Sequence, residues 1–332
     1  MHLPRVPFSH VLAFAAGTLL GFAIVFHAGT SKRASGTTRS DGVPSGTNNA
    51  GTRTMNNDRT NNGGTTTTNI NETNGEPRIF CLVLTSPENV RARAVHARDT
   101  WTRRCDGRAF YSSSPDPSLP AVPLPVADGW ENLWAKTNAA FRDAHRRRGG
   151  AADWFLKTDD DTYVVVDNLR RLLRGRRGDE YVGRHFAAAG DVEQGYMSGG
   201  AGYALSAGAL GRFAREGAAA CLRADTPANE DVEMGRCMER LGVAAADSRD
   251  ERARETFFPF APEFHVASRR AASRHPEFWF WNNRTYYPLV EGAEGMSEAA
   301  VSFHYVKPNR MYLLDYLIYK LQVHGLSRDD AT

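Results

Sequence analysis

The sequence predicts an α/β protein in which a mostly parallel sheet, flanked by helices, follows a membrane anchor and a flexible stem. Three observations indicate this class. Short apolar runs alternate with helical patterns between residues 78 and 174. Residues 8–28 contain no Asp, Glu, Lys or Arg, and residues 29–76 consist almost wholly of Gly, Thr, Ser, Asn and charged residues. The 332 residues, 41% of them hydrophobic, suffice for one large core or two modest ones. We expect a single globular domain over 77–322 and a short tail over 323–332.

Residues 8–28 are long enough to cross a membrane. These 21 residues, at about 1.5 Å of helical rise each, come close to the ~30 Å of bilayer hydrocarbon. A cleavable signal peptide is the alternative. The apolar region of a signal peptide usually has about 7–15 residues, so we favour an uncleaved signal anchor. Residues 1–7 before it form a short tail, which is cytoplasmic if the large C-terminal part is lumenal. The flanking basic residues do not decide the orientation of the span.

Residues 29–76 form the expected stem. Their composition cannot bury enough apolar surface to offset the entropy that is lost on ordering. Asn71 near the end of the stem and Asn283 in the domain stand in Asn-x-Thr sequons. Both are expected N-glycosylation sites if the large C-terminal part is lumenal.

The four cysteines are Cys81, Cys105, Cys221 and Cys237. An even number in a secretory chain fits two disulfides, although three pairings exist, and we prefer the local pairs 81–105 and 221–237. Four buried thiols are the alternative. The spacing is not that of a zinc site.

Each predicted element follows from its pattern of apolar residues. Buried parallel strands are short, nearly continuous apolar runs, whereas helices repeat apolar residues at i, i+3, i+4 and i+7. By these rules strands cover 78–84, 109–112 and 154–158, and helices cover 89–101, 132–147, 167–174 and 230–241. A Gly-rich turn is expected at 198–202. The closing stretch 311–321 predicts a helix that docks on the domain.

Three consecutive acids, Asp159, Asp160 and Asp161, follow the strand that begins at Trp154. Carboxylates at the end of a strand offer hard oxygen ligands for Mg²⁺ or Mn²⁺ at the sheet edge where open α/β folds bind ligands. The alternative is a solvated Asp-rich turn. Because strand residues alternate faces, Asp160 is expected to reach a nucleotide ribose. His304, in an apolar strand, offers a nitrogen ligand, although alone it would be a hydrogen-bonded core histidine.

The helix at 230–241 begins with two acids, Glu230 and Asp231, after Asn229, which we expect to cap it. Acids at this position often serve only the helix dipole. The functional alternative is that Asp231 is a general base for a hydroxyl group.

The stretch 278–287 holds more aromatic rings than a core strand requires, including Trp279 and Trp281. Aromatic core is one interpretation, and a platform that binds the C–H faces of sugars is the other. Nucleic acid is not expected as a partner, because the net charge is only +3 and the basic run near 170–177 is interleaved with leucines.

Six segments together resemble the core 1 β1,3-galactosyltransferase family. They run in the family's order from about residue 78 to 320, and the combination is specific although each segment alone is not. The segments are 98–101, 153–163, 195–203, 230–237, 242–250 and 302–306.

The resemblance implies a Rossmann-like GT-A fold and a single-pass, type II Golgi membrane enzyme with a lumenal catalytic domain. It implies transfer of galactose from UDP-galactose to the 3-hydroxyl of GalNAc α-linked to Ser or Thr of glycoproteins, with Mn²⁺ as cofactor. Family members are often dimers, so a homodimer is expected.

The resemblance also implies roles for single residues. The metal ligands would be Asp159, Asp161 and His304, and the base would be Asp231. The donor would contact Thr85, Arg98, Asp159 and Asp160. The acceptor would contact Glu230, Trp279, Trp281 and Tyr305.

Two alternatives to this function stay open. One is another β1,3-glycosyltransferase, such as a Fringe-like N-acetylglucosaminyltransferase, because small pocket contacts decide the donor sugar. The other is a non-catalytic lumenal chaperone or sugar-binding protein on the same fold. The presence of the acidic triplet, Asp231 and His304 favours an enzyme.

Overall fold

The computed structural model describes residues 75–187, 192–223, 226–267 and 284–325. The chain divides after Asn69 into two units, and all described residues lie in the second. No helix among the described residues is both long and apolar enough to cross a membrane. The predictions that fall outside the described residues concern the span 8–28, the stem up to 74, Asn71, Trp279, Trp281 and Asn283.

A large sheet forms the centre of the described domain. Its strand order is β10-β6-β9-β4-β1-β2-β3, and β11-β12-β5 and β7-β8 form two smaller sheets. The strands are β1 Ile79–Leu84, β2 Gly107–Ser112, β3 Val122–Pro123, β4 Trp154–Asp159, β5 Tyr163–Val164, β6 Glu180–Gly183, β7 His185–Phe186, β8 Tyr196–Met197, β9 Tyr203–Ser206, β10 Ala244–Ala246, β11 Phe257–Phe258 and β12 Ser302–Phe303.

The large sheet is mostly parallel. β1 pairs in parallel with β2 and β4, and β2–β3 and β10–β6 are also parallel. β9 is antiparallel to both β4 and β6. It follows the Gly-rich turn at 198–202 rather than a crossover helix, which is why it can run in the opposite direction.

Helices cover both faces of this sheet. They are α1 Val95–Asp99, α2 Leu133–Arg148, α3 Val166–Leu173, α4 Ala207–Ala220, α5 Glu230–Arg240, α6 Pro262–Val266 and α7 Pro308–Tyr319. Alternate residues of β1 point to opposite faces: Ile79 joins a core with α1, α3 and α7, and Phe80 joins a core with α2, α4 and α5. The predicted α/β class with a mostly parallel, helix-flanked sheet is confirmed.

Two predicted helices differ in detail from the structure. The stretch 89–101 contains a π-helix at Val90–Ala94 before α1 and a 3₁₀-helix at Trp101–Arg104 after it. α7 buries Met311, but it leaves Leu313 and Tyr316 about half exposed. The closing helix is therefore docked by one edge only.

Both local disulfides are present. Cys81 of β1 bonds to Cys105, and Cys221 at the end of α4 bonds to Cys237 of α5. The first bond ties a central strand to the segment before β2. The second holds two helices of one face together.

Replacing both Cys81 and Cys105 by alanine should lower the free energy of unfolding by about 3 kcal/mol, because the bond closes a loop of 24 residues in the unfolded chain. Urea unfolding of the oxidised proteins measures this difference. The matched control replaces Cys221 and Cys237, whose separation of 16 predicts a similar but slightly smaller loss. An unchanged midpoint in the first variant would contradict the expectation.

Candidate active site

The pairing of β5 with β12 places His304 beside the acidic turn. β4 ends at Asp159, and the turn before β5 holds Asp160 and Asp161. β12 runs antiparallel to β5, and His304 follows β12 directly. The backbone N–H of Val306 also donates to the carbonyl oxygen of Asp161 at 2.8 Å. Two segments that are distant in sequence therefore meet at this edge.

The three side chains that were expected to share a metal ion lie together. His304 Nε2 is 3.1 Å from Asp161 Oδ1 and 3.7 Å from Asp159 Oδ2. The Arg93 guanidinium lies 2.9 Å from the other oxygen of Asp161. Among the described residues, no group of three or more His, Cys, Asp or Glu has the arrangement of a preformed metal site. The imidazole here bonds directly to a carboxylate.

Burial and acidic neighbours act in opposite directions on His304. Burial lowers the pKa of its imidazole, but the hydrogen bond to Asp161 and the charges of Asp161 and Asp159 outweigh it, so the pKa is raised above 6.5. Burial raises the pKa of Asp161, but the bond and charge of His304 outweigh it, so the pKa is lowered. A cation that binds His304 must therefore compete with a proton.

Two of the expected donor-binding residues bond to each other. The Thr85 hydroxyl donates to Asp160 at 2.7 Å, and both side chains are buried. Burial raises the pKa of Asp160 to about 7. Arg98 donates to Asp99 and to the carbonyl oxygen of Ser118. None of these three predicted residues is among the described lining of the pocket, so their contact with a donor stays a prediction.

The start of α5 holds the expected base. Asp231 accepts hydrogen bonds from the backbone N–H of Gly199 at 3.3 Å and of Val232 at 2.9 Å. Burial, and then the charge of Glu230, raise the pKa of Asp231 to about 6. Asn229 occupies the predicted cap position, but its side chain makes no capping hydrogen bond. It lines the pocket instead.

Lys157 joins the acidic turn after β4 to the start of α5, and it is not among the site residues predicted from the sequence. Its ammonium nitrogen lies 2.9 Å from Asp159 Oδ1, 3.1 Å from the Gly199 carbonyl oxygen and 3.4 Å from Glu230 Oε2. Glu230 Oε1 accepts from the Tyr203 hydroxyl at 2.5 Å. Burial lowers the pKa of Lys157, but the acids outweigh it and the net shift is upward. The sequence does contain a signal for this role: Lys157 is a charged residue inside the apolar run of β4, and a buried charge needs partners of opposite charge.

Two adjacent glycines, Gly199 and Gly200, allow the start of α5 and the His304 ring to lie close to β4. A Cβ on Gly200 would overlap the ring of His304, and a Cβ on Gly199 would lie 2.7 Å from Glu230 Oε2. Any other residue would separate the imidazole or α5 from β4. The Gly-rich turn is therefore part of the site's packing.

These groups open into a pocket of about 320 Å³, which is within the size range of small-molecule sites. Its described lining combines acids, an imidazole, a lysine and several aromatic rings. The lining residues are Trp130, Leu133, Lys157, Asp159, Phe186, Ser198, Gly199, Gly200, Asn229, Glu230, Asp231, Pro259, Phe260, His304 and Tyr305.

Of the three aromatic residues expected to bind the acceptor, Tyr305 lies within the described residues. It is half exposed, it lines the pocket, and its ring stacks on His304 with 3.9 Å between centroids. Its φ of 54° lies in the left-handed region, which is uncommon for a residue other than glycine. Trp130 also lines the pocket, although it is not among the site residues predicted from the sequence.

Known proteins resemble this chain as follows. Residues 75–252 match the Fringe-like family model. Over 250 residues the chain is 44% identical to glycoprotein-N-acetylgalactosamine 3-β-galactosyltransferase 1 of Xenopus laevis, covering 75% of this chain and 68% of that enzyme. It is 30% identical over 191 residues to human chondroitin sulfate synthase 3, covering 51% of this chain and 21% of that protein. The family match includes the acidic turn and Asp231, and His304 lies beyond its end.

Among solved structures, a mutant of Drosophila β1,4-galactosyltransferase 7 in complex with manganese, UDP-Gal and xylobiose is also similar. The alignment covers 60% of this chain and 80% of that chain, with 11% identity and a TM-score of 0.33.

Gly200→Ala should destabilise the protein by about 1–3 kcal/mol, because the new methyl group overlaps the His304 ring. Gly150→Ala is the matched control. No atom lies within 4 Å of a Cβ built at Gly150, so its stability should change by less than about 0.5 kcal/mol. Urea unfolding of both variants tests the prediction, and equal stability of the two would contradict the close approach.

Proposed function

The chain belongs to the Fringe-like family of β1,3-glycosyltransferases, and on this premise we propose the reaction that it catalyses. It is an inverting enzyme that moves galactose from UDP-galactose to the 3-hydroxyl of GalNAc α-linked to Ser or Thr of glycoproteins. One observation carries the proposal: a single pocket is lined by Asp159, His304 and Asp231, and burial raises the pKa of the Asp231 carboxyl to about 6. The 44% identity to the Xenopus enzyme supports the choice of donor and acceptor.

The cluster of Asp159, Asp161 and His304 fits a hard divalent ion such as Mn²⁺. Two carboxylates and one imidazole are donors that such an ion accepts, and both carboxylates lie within 3.7 Å of the imidazole nitrogen. When bound, the ion supplies positive charge next to the departing diphosphate. The chain's part is to hold the three donors at one edge. Because the pKa of His304 is raised, loading the site would displace a proton.

Asp231 acts as the base in this proposal. Inversion needs one in-line displacement. The Asp231 carboxylate takes the proton of the acceptor hydroxyl, the hydroxyl oxygen attacks the anomeric carbon, and the bond from that carbon to UDP breaks so that UDP leaves. No covalent bond between sugar and enzyme forms. A pKa of about 6 leaves most of Asp231 ionised at neutral pH while keeping it more basic than a free aspartate. The Gly199 N–H holds one carboxylate oxygen in place.

Lys157 and Glu230 keep the base near the donor side. The ammonium group of Lys157 bonds to Asp159 and to Glu230, the residue before Asp231. Both oxygens of Glu230 have partners within the protein. Glu230 therefore positions the start of α5, and any contact that it makes with the acceptor is secondary.

The proposal includes a type II Golgi membrane protein whose catalytic domain is lumenal. The uncharged run 8–28 supports a signal anchor. The two disulfides support an oxidising compartment. In this topology Asn71 and Asn283 would be exposed to the N-glycosylation machinery. A homodimer is part of the same proposal.

The deciding experiment measures UDP release from a panel of UDP-sugars, with and without GalNAc-α-Ser/Thr peptide. We expect release to require UDP-galactose, the peptide and Mn²⁺, and to stop when EDTA removes the ion. Asp161→Ala should weaken Mn²⁺ and UDP binding together, because it removes one ligand and the partner of His304. Preference for another donor would refute the sugar assignment, and unaltered metal dependence in Asp161→Ala would refute the metal site.

Asp231→Asn should lower kcat by on the order of a hundredfold or more and leave UDP binding intact, because the amide cannot accept the proton. In the wild type, at a Mn²⁺ concentration that keeps the metal site saturated, kcat/KM should fall about tenfold per pH unit below about 6, since the base is lost as Asp231 becomes protonated. Initial rates from pH 4.5 to 8 and a UDP titration test both expectations. Turnover like that of the wild type would remove Asp231 as the base.

A further inference from the structure

Trp130 is a large aromatic side chain that lines the pocket without contributing to the core. It begins the 3₁₀-helix Trp130–Asn132, which leads into α2, and its side chain is 67% exposed. It shares the pocket with Asp159, Asp231 and His304. Within the described part of the chain its indole has no hydrogen-bond or ring partner.

The backbone that carries Trp130 is held firmly. Asp128 accepts a hydrogen bond from Lys136 at 2.5 Å and another from Ser113. Lys136 also donates to the carbonyl oxygen of Thr85 at the end of β1. These bonds fix the turn against the carboxyl ends of β1 and β2. The exposure of the indole therefore does not come from a loose loop.

The neighbouring tryptophan shows that this segment can bury such a ring. Trp134, one helical turn later, is fully buried, and its Nε1–H donates to the Leu222 carbonyl oxygen. A single exposed apolar residue needs no explanation by itself. Trp130 differs because its exposed surface faces a pocket that also holds the reacting groups.

The remaining aromatic lining comes from other elements. Phe260 belongs to a cluster with Phe186, and its ring stacks near Tyr305 at 6.2 Å. Trp130 and Leu133 add apolar surface from the start of α2. A pocket with flat apolar surfaces and clustered acids is complementary to a pyranose, whose ring has C–H faces and whose edge carries hydroxyl groups.

We propose that the indole face of Trp130 packs against the C–H face of a pyranose in this pocket and thereby determines the affinity for the sugar substrate. The inference rests on the proposed function only in that the pocket takes sugars. The pyranose is either the hexose of the donor or the hexosamine of the acceptor. Loss of the indole should raise the KM for the donor in the first case and the KM for the acceptor in the second.

The test compares Trp130→Ala, Trp130→Phe and the control Tyr316→Ala in the full-length protein. Tyr316 is an aromatic residue of α7 that is 52% exposed and lies outside the described pocket lining. Trp130→Ala should raise KM for one sugar substrate by about tenfold with kcat within about twofold, because stacking is lost equally in ground and transition states. Trp130→Phe keeps a flat ring and should retain most of the affinity. Tyr316→Ala should not change KM.

A second measurement works without turnover. Fluorine NMR of protein labelled with fluorotryptophan reports on each of the six tryptophans, and the spectrum of Trp130→Phe assigns the resonance of Trp130. GalNAc-α-Ser peptide or UDP-galactose should shift that resonance, whereas UDP alone should not. A shift in a protein that transfers no sugar would retain this inference and reject the proposed reaction. Transfer with an unchanged KM in Trp130→Ala and an unmoved resonance would overturn the inference.

Discussion

The antiparallel pairing of β12 with β5 is the constraint on which the candidate site depends. Each strand has only two residues, so further bonds are needed to hold the register. The Val306 N–H donates to the Asp161 carbonyl oxygen at 2.8 Å, and the Ser302 hydroxyl donates to the Ala201 carbonyl oxygen at 2.6 Å. A slip by one residue would turn His304 to the opposite face. The register thus determines both the His/Asp cluster and one wall of the pocket.

Charge balance around this pairing explains why so many acids can lie together. Asp159 and Asp161 contact His304, whereas Lys157 lies between Asp159 and Glu230. Lys157 is 2% exposed, and a buried cation without acidic partners would be costly. Without it, the two carboxylates would face each other and repel the start of α5 from β4. Lys157 therefore links the acidic turn after β4 to the start of α5.

The fold class could be predicted from the sequence because strands and helices leave short-range patterns of apolar residues along the chain. The apolar runs marked β1 and β4, and the spacing in α5 placed Asp231 in its first turn. No local pattern specifies that β12 pairs with β5, so the contact between His304 and the acidic turn followed only from the family resemblance. Lys157 was missed because an apolar run was interpreted as core. Trp130 was missed because one tryptophan after a glycine has no periodic pattern.

Tyr305 shows how this site compensates for local strain. A left-handed backbone costs a residue with a Cβ roughly 1–2 kcal/mol, and the φ of Tyr305 is 54°. The following N–H, that of Val306, bonds to Asp161, and the Tyr305 ring stacks on His304 at 3.9 Å. A glycine would relieve the strain but remove the ring that restricts the imidazole. Gly200 also lies against the His304 imidazole. The imidazole is therefore held between Gly200 and the Tyr305 ring, in an orientation in which its Nε2 faces Asp161. The strained conformation is thus linked to the geometry of the cluster and not only to the turn.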